Sequence, residues 1–347
     1  MLGLRSYLLK RVLNTVLLIV FVITLNFIIF ELMPGTQASI SNLVQNPRVF
    51  DPTQVARLLK LYNFCKEVTI TGPHSYNCVP TTIWDRFSAY FVNMITFNFG
   101  DSFQTNKPVL HDMIQTGRLV NTLTLLGVAT TVALLIGTLL GVVAAAKRGS
   151  IFDSGSVTLS LITFSLPTFW MGLLFIMIFA NRLQLFPSGG VTPAYWAIKT
   201  PDLLGQFLTR VQYLFLPALT LTLFFYGGNL LLTRATMTEA LSEDYINTAR
   251  AKGLPERTVL FKHALKNASL PLVTNAALSF GGLLGGAIIT ETVFNWDGLG
   301  FWLFNAIGWK DYPVMQAMFF IIALCVIAAN FISDIFYGIL DPRIKYE

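Results

Sequence analysis

Glu239 to Thr274 reads EALSEDYINTARAKGLPERTVLFKHALKNASLPLVT. It sets Arg250, Lys252, Arg257, Lys262, His263 and Lys266 against Glu239, Glu243, Asp244 and Glu256, and it lies between two long apolar runs. A hydrated segment of about 35 residues between membrane spans is too long and too charged for a simple turn. Helix formers fill Ser242 to Lys252, Gly253 is placed to end that helix, and Pro255 suits the first turn of the next. The expectation is two short helices meeting at a glycine corner, a rigid knob on the membrane surface.

The composition around this knob belongs to a bilayer. Of 347 residues, 54% are hydrophobic and 12% charged, against about 25% charged in soluble chains. The net charge of +6 comes with no basic run or aromatic-basic alternation, so nucleic acid is not a partner; cations flanking membrane spans account for it. Six helices of about 20 residues would use roughly 120 residues and leave room for sizeable loops.

Upstream, Arg5, Lys10 and Arg11 precede an apolar run from Val12 to Phe30. No small-residue cleavage site follows, which predicts an uncleaved first helix. Asn14 and Asn26 within it are expected to bond to neighbouring helices. Residues 33 to 118 are polar. Val55, Leu58, Leu59 and Tyr62 repeat at helical spacing after Asp51-Pro52, and Phe87, Tyr90, Phe91 and Met94 share one side of a second amphipathic stretch. A loop with two such helices is a folded cap. Cys65 and Cys78 lie in it, either as a disulfide, if the cap is extracellular, or as two free thiols.

Further spans follow at Leu119 to Ala146, about Ser156 to Ala180, about Tyr213 to Ala235, about Leu272 to Val293, and from Tyr312 to near Tyr337. Gly137 and Gly141 have the spacing that permits close helix approach. Pro167 is expected to kink the third span, and Asn181 to Gln212 to form an outer loop. Glu31, Arg234, Glu291 and Asp334 fall near span ends, where solvent or a partner would stabilise them; the expectation for Asp334 is an interfacial pair with a cation. Placing both termini inside puts the most basic short segments on the inner face, as the positive-inside rule requires.

Several chemistries lack their residues. There is no GxxxxGK[ST] phosphate loop, and the glycines at 281 to 286 are followed by apolar residues. His74, His111 and His263 show no metal-ligand spacing, and no nucleophile-base set stands out. No catalytic, cofactor or metal residue is therefore assigned, and energy for transport must come from a separate ATPase or from an ion gradient.

DYINTARAKGL (244 to 254) and HALKNASLPLVT (263 to 274) closely resemble the cytoplasmic coupling loop of ABC-importer permeases of the dipeptide/oligopeptide/nickel branch, first permease subunit type. Asn247 and Thr248 stand where the generic importer motif has Glu-Ala, and Leu270-Pro271 falls later than that motif expects; both departures are usual in the peptide branch. FGDSFQTNKPV (99 to 109), RGS with SLPTFWMGLLF (148 to 175), LPALTL (216 to 221), ETVFNWDGLG (291 to 300) and DPRIK (341 to 345) are similar to the same family. Its pattern often has proline at 297 and lacks the segment around Cys65 and Cys78.

The resemblance implies an all-α membrane protein of six transmembrane helices. Residues 1–32 would form the cytoplasmic N-terminus and first helix, 33–118 an extracellular cap, and 119–347 a five-helix core with a coupling loop at 237–272. It implies a plasma-membrane permease of a prokaryote, not itself an enzyme, working with a second homologous permease subunit, two ATPase subunits that bind ATP and magnesium, and an extracellular solute-binding protein. Tyr245, Ala249, Arg250, Ala251, Gly253 and Leu254 are the coupling candidates, with Tyr245 and Leu254 as apolar anchors, Arg250 as a polar contact and Gly253 as the turn. The alternatives are a gradient-driven secondary transporter, which usually shows an internal repeat that is not seen here, and a membrane-embedded enzyme.

Overall fold

The computed structural model describes residues 2–31, 65–72, 75–197 and 201–340. Its helices are α1 (Leu2–Glu31), α2 (Ile83–Ile95), α3 (Val109–Thr116), α4 (Arg118–Ala146), α5 (Ile151–Ser165), α6 (Thr168–Phe175), α7 (Leu203–Leu241), α8 (Asp244–Ala251), α9 (Glu256–Thr258), α10 (Leu265–Val293), α11 (Leu299–Trp309) and α12 (Tyr312–Leu340). Wider π-type turns extend α6 over Ile176–Arg182 and join α9 to α10 over Val259–Ala264. Among the described residues, four helices are long and apolar enough to cross a membrane, and five crossings result if the pair of α5 with α6 and its extension is one span. The expected helix over Val55 to Tyr62 lies outside the described residues.

The described residues are mostly helical, consistent with an all-α membrane protein, with one short addition and two corrections. The addition is a strand pair: β1 (Cys65–Gly72) pairs antiparallel with β2 (Ser75–Pro80), with Gly72 opposite Ser75 and Val68 opposite Cys78. Val68, Thr69, Ile70 and Thr71 are β-branched, and such runs favour pleated pairing over helix. Pro167 does not kink a continuous helix. Leu166 is extended at φ −80°, ψ 133°, as the residue before proline prefers, and the flanking helices meet at 98°. The outer loop expected to reach Gln212 is helical from Leu203, because Asp202 caps α7 by accepting from the Gly205 N–H at 3.2 Å. Gln206, Thr209, Arg210 and Gln212 disguise this polar first stretch of a 39-residue helix.

One compact unit comprises the described residues of Met1–Arg11, Arg118–Phe301 and Ala328–Glu347. Its frame is α4 against α7. A Cβ at Gly137 would lie 2.7 Å from the Asn229 Cβ and the Tyr226 carbonyl oxygen; one at Gly141 would lie 2.6 Å from the Thr233 Cβ. The two glycines thus let the backbones touch, as their spacing suggests. Asn229 holds α10 by accepting from Asn275 Nδ2 at 2.8 Å. Arg11 meets Asp334 at 2.9 Å, the cation pair expected of that carboxylate.

The second unit comprises the described residues of Val12–Gly117 together with Trp302–Ile327. Phe27 of α1 packs on Phe87 and Tyr90 of α2, and Asn26 donates to the Gln316 carbonyl at 3.1 Å, whereas Asn14 is exposed. Thr82 caps α2 in a reciprocal box with Asp85. Asp311, 2% exposed, accepts from Ser102 Oγ at 2.5 Å and from the Phe103 and Gln104 N–H groups at 3.1 and 3.2 Å. One carboxylate therefore shapes the SFQT turn and sits at the start of α12, where a negative charge suits the helix dipole.

Candidate functional site

The charged stretch folds into an elbow. α8 runs from Asp244 to Ala251, Lys252 closes it, and Gly253 follows at φ +72°, a left-handed turn open to glycine at little cost. Pro255 then leads into α9. On the inner side, Ile246, Ala249, Val259, Ala264 and Ala268 share a buried cluster with Val142 and Ala145 of α4 and Met237 and Ala240 of α7, and Tyr245 and Leu254 pack against it. The elbow is thus seated on the ends of the two helices that form the frame.

The six coupling candidates separate by side. Ala249 is buried, and Tyr245 and Leu254 are half-buried on the elbow's own core, whereas Arg250, Ala251 and Gly253 are exposed. Arg250 reaches across the corner to Glu256, with Nη2 to Oε1 at 2.7 Å and Nε to Oε2 at 3.3 Å. The guanidinium holds the Glu256 carboxyl below its usual range. An exposed pair of this kind contributes at most about 1 kcal/mol; its value is geometric, since the fork ties α8 to α9 around the glycine.

At the far ends of α4 and α10, a second construction was not foreseen. Of the two stabilisers expected for Glu291, solvent or a partner, it has the partner: it is 0% exposed. Its carboxylate accepts from Thr122 Oγ1 at 2.7 Å and from the Phe301 N–H at 2.9 Å. Thr122 in turn accepts from the Leu299 N–H at 2.8 Å, so the carboxylate and hydroxyl together cap α11, whose unpaired N–H groups favour negative charge. A Cβ at Gly298 would fall 2.5 Å from both Glu291 oxygens, which explains the glycine. Asn121 donates to the Asp297 carbonyl and accepts from Trp296 Nε1, and Arg118 pairs with Asp297 at 2.9 Å. Asp297 thus has a cation of its own.

A third polar site joins the frame to α5. Asp153 takes both Arg234 Nε and Nη2, at 2.5 and 2.8 Å, so Arg234 is not left to solvent. The side chain of Glu31 lies outside the described residues. The sequence carries a local trace of one of these sites, since the Gly149-Ser150 turn directly precedes the first turn of the helix that bears Asp153. Sequence spacing did not reveal which distant helix supplied the partner.

Comparison with known proteins now supplies the family. Residues 137–346 match the family described as binding-protein-dependent transport system inner membrane component. The di/tripeptide transport system permease protein DppB of Pseudomonas aeruginosa is 37% identical over 93% of this chain and 94% of its own length. The oligopeptide transport system permease protein AppB of Bacillus subtilis is 33% identical over 98% and 99%. The dipeptide transport system permease protein DppB of Escherichia coli is 38% identical over 76% and 82%. Nothing in these matches favours a gradient-driven carrier. The chain belongs to the binding-protein-dependent transport system inner membrane components, as a multi-pass permease subunit of an ABC importer whose ATPase lies in partner subunits.

Proposed function

We propose that the chain pairs with a second homologous permease to form a membrane pathway for peptides, fed by an extracellular solute-binding protein and driven by two ATPase subunits docked at the elbows. The peptide reading follows the relatives, which are named for dipeptides, di/tripeptides and oligopeptides. In it the bent α5–α6 pair and α10 complete six crossings, both termini are cytoplasmic, and residues 33–118 form the outer cap.

The elbow carries this reading. Its inner side is fastened to α4 and α7, and its glycine corner is exposed. ATP-driven closure of the ATPases would displace the corner, with Arg250, Ala251 and Gly253 making contact and Tyr245, Ala249 and Leu254 passing the load inward. Inward- and outward-facing states then differ in population only because the ATPase binds them unequally. An affinity-tagged chain is expected to bring nucleotide-hydrolysing subunits with it through purification.

Gly253 gives the sharper test. No atom lies within 4 Å of a Cβ placed there, so Gly253→Ile strains the left-handed backbone, by about 1–2 kcal/mol, without a clash. The expected result in reconstituted vesicles is ATP hydrolysis with little uptake, while Gly253→Asn, which tolerates that conformation, stays coupled. Unchanged uptake by the isoleucine variant would count against docking at the corner.

The cap supports the same orientation. Cys65 is buried and disulfide-bonded, and Cys325 is a free thiol. We infer that Cys78, on the paired strand, is the partner, as an oxidising exterior would permit. Mass-tagging of denatured protein should label one cysteine before reduction and three after; three before reduction would remove the bridge.

A further inference from the structure

We propose that the Asp153–Arg234 ion pair is the strut through which elbow movement reaches the cytoplasmic end of α5, making both side chains positioning residues for coupling. The inference rests on the docking role proposed for the elbow. Arg234 stands three residues before Met237 on α7, one helical turn away and on nearly the same face. Met237 is fully buried in the cluster that seats the elbow.

The carboxylate is held on all sides. The Asp153 side chain is 4% exposed and accepts from the Gly149 N–H at 2.9 Å as well as from Arg234. Its own N–H is donated to Ser150 Oγ at 3.2 Å. One group therefore joins α7 to the turn that leaves α4 and to the first turn of α5. The guanidinium meets it with two parallel bonds, a fork that fixes orientation as well as distance, which a lysine would not do.

The other contacts at this end of α5 are soft. Ile151 is 93% exposed, Ser154 and Gly155 are exposed beside it, and the exposed Phe152 meets the flexible Lys147 ammonium, 5.8 Å from the ring centroid. One turn on from Asp153, Val157 packs against Ala133, Tyr226 and Leu230, and beyond it a Cβ on Gly227 of α7 would lie 2.9 Å from the Ser160 carbonyl oxygen. Helix α5 is thus pinned over Val157 to Ser160 and strutted at Asp153. Without the strut, its first turns can lag behind the elbow about that pin.

Spin labels at Ile151→Cys and Glu243→Cys, in a Cys325→Ala background of the assembled complex, read this directly. With the native pair, their separation should stay within about 2 Å, the size of ordinary helix shifts, between nucleotide-free and ATP-trapped states. In Arg234→Gln it should change or broaden beyond that, with Arg234→Lys intermediate. Tri-alanine uptake per ATP hydrolysed should fall with it, by about 2- to 30-fold for a network residue of this kind.

A pair that serves stability alone would lower the melting temperature and leave the separation constant in both states; that outcome overturns the strut. A native separation that already changes on ATP trapping overturns it as well. Gly253→Ile in the same complex tests the elbow separately: normal uptake there removes the docking role and leaves the distance result standing.

Discussion

Replacing Gly141 with leucine is expected to break the frame of the permease. The new Cβ would meet the Thr233 Cβ at 2.6 Å and the Leu230 carbonyl oxygen at 2.8 Å, and neither is the far end of a flexible side chain. Relief requires α4 and α7 to part, and overpacking of this kind costs about 1–3 kcal/mol or more. The loss should exceed the lower bound, because separating the helices also loosens Val142, Ala145, Met237 and Ala240 under the elbow. Thermal unfolding in lipid nanodiscs would show a large drop for Gly141→Leu and for Gly137→Leu. Gly127 supplies the control on the same helix. Nothing lies within 4 Å of its Cβ position, so Gly127→Leu should change stability by no more than about 0.5 kcal/mol. Equal effects at Gly127 and Gly141 would show that the contact is not made.

Glu291→Ala should produce the second large loss. It removes the acceptor for Thr122 Oγ1 and for the Phe301 N–H in a site closed to solvent. Each buried group left unpaired costs about 1–3 kcal/mol, so a total near 3 kcal/mol or above is expected. Glu291→Gln should fall well short of that. Its amide oxygen can face Phe301, and its NH2 can face the Thr122 oxygen, which accepts as well as donates. The order wild type, Gln, Ala in melting temperature would support the clamp. Alanine and glutamine variants of equal stability would refute it.

The sequence revealed some of this architecture and concealed the rest for identifiable reasons. The elbow was legible because its signals are local: helix formers, Gly253 and Pro255 occupy consecutive turns. Gly137 and Gly141 announced a close approach through spacing alone, although α7 as the partner did not follow from it. Asp153, Glu291 and Asp311 were opaque because each meaning is non-local. Glu291 and Thr122 lie 169 residues apart, and Ser102 and Asp311 lie 209 apart. Ala249 stands among the coupling candidates by motif, and helical phase turns it inward with Ile246. The hairpin is hidden from helical periodicity because its β-branched run is short. The early start of α7 was missed because polar residues on a helix look like loop when hydropathy is the only guide.

The abrupt corner at Leu166–Pro167 has a consequence for the solvent around it. Two apolar segments that part at 98° leave carbonyl groups at the end of the first and amide groups at the start of the second without the helical partners a straight rod would give them. Nearby hydroxyls do not mend this deficit, since Thr163 and Ser165 donate to the carbonyls of Leu159 and Leu161, which already accept within the helix. The deficit is untenable against lipid tails. This bend must therefore border moisture or a neighbouring polypeptide, and it marks a place where the hydrocarbon slab around the permease is interrupted.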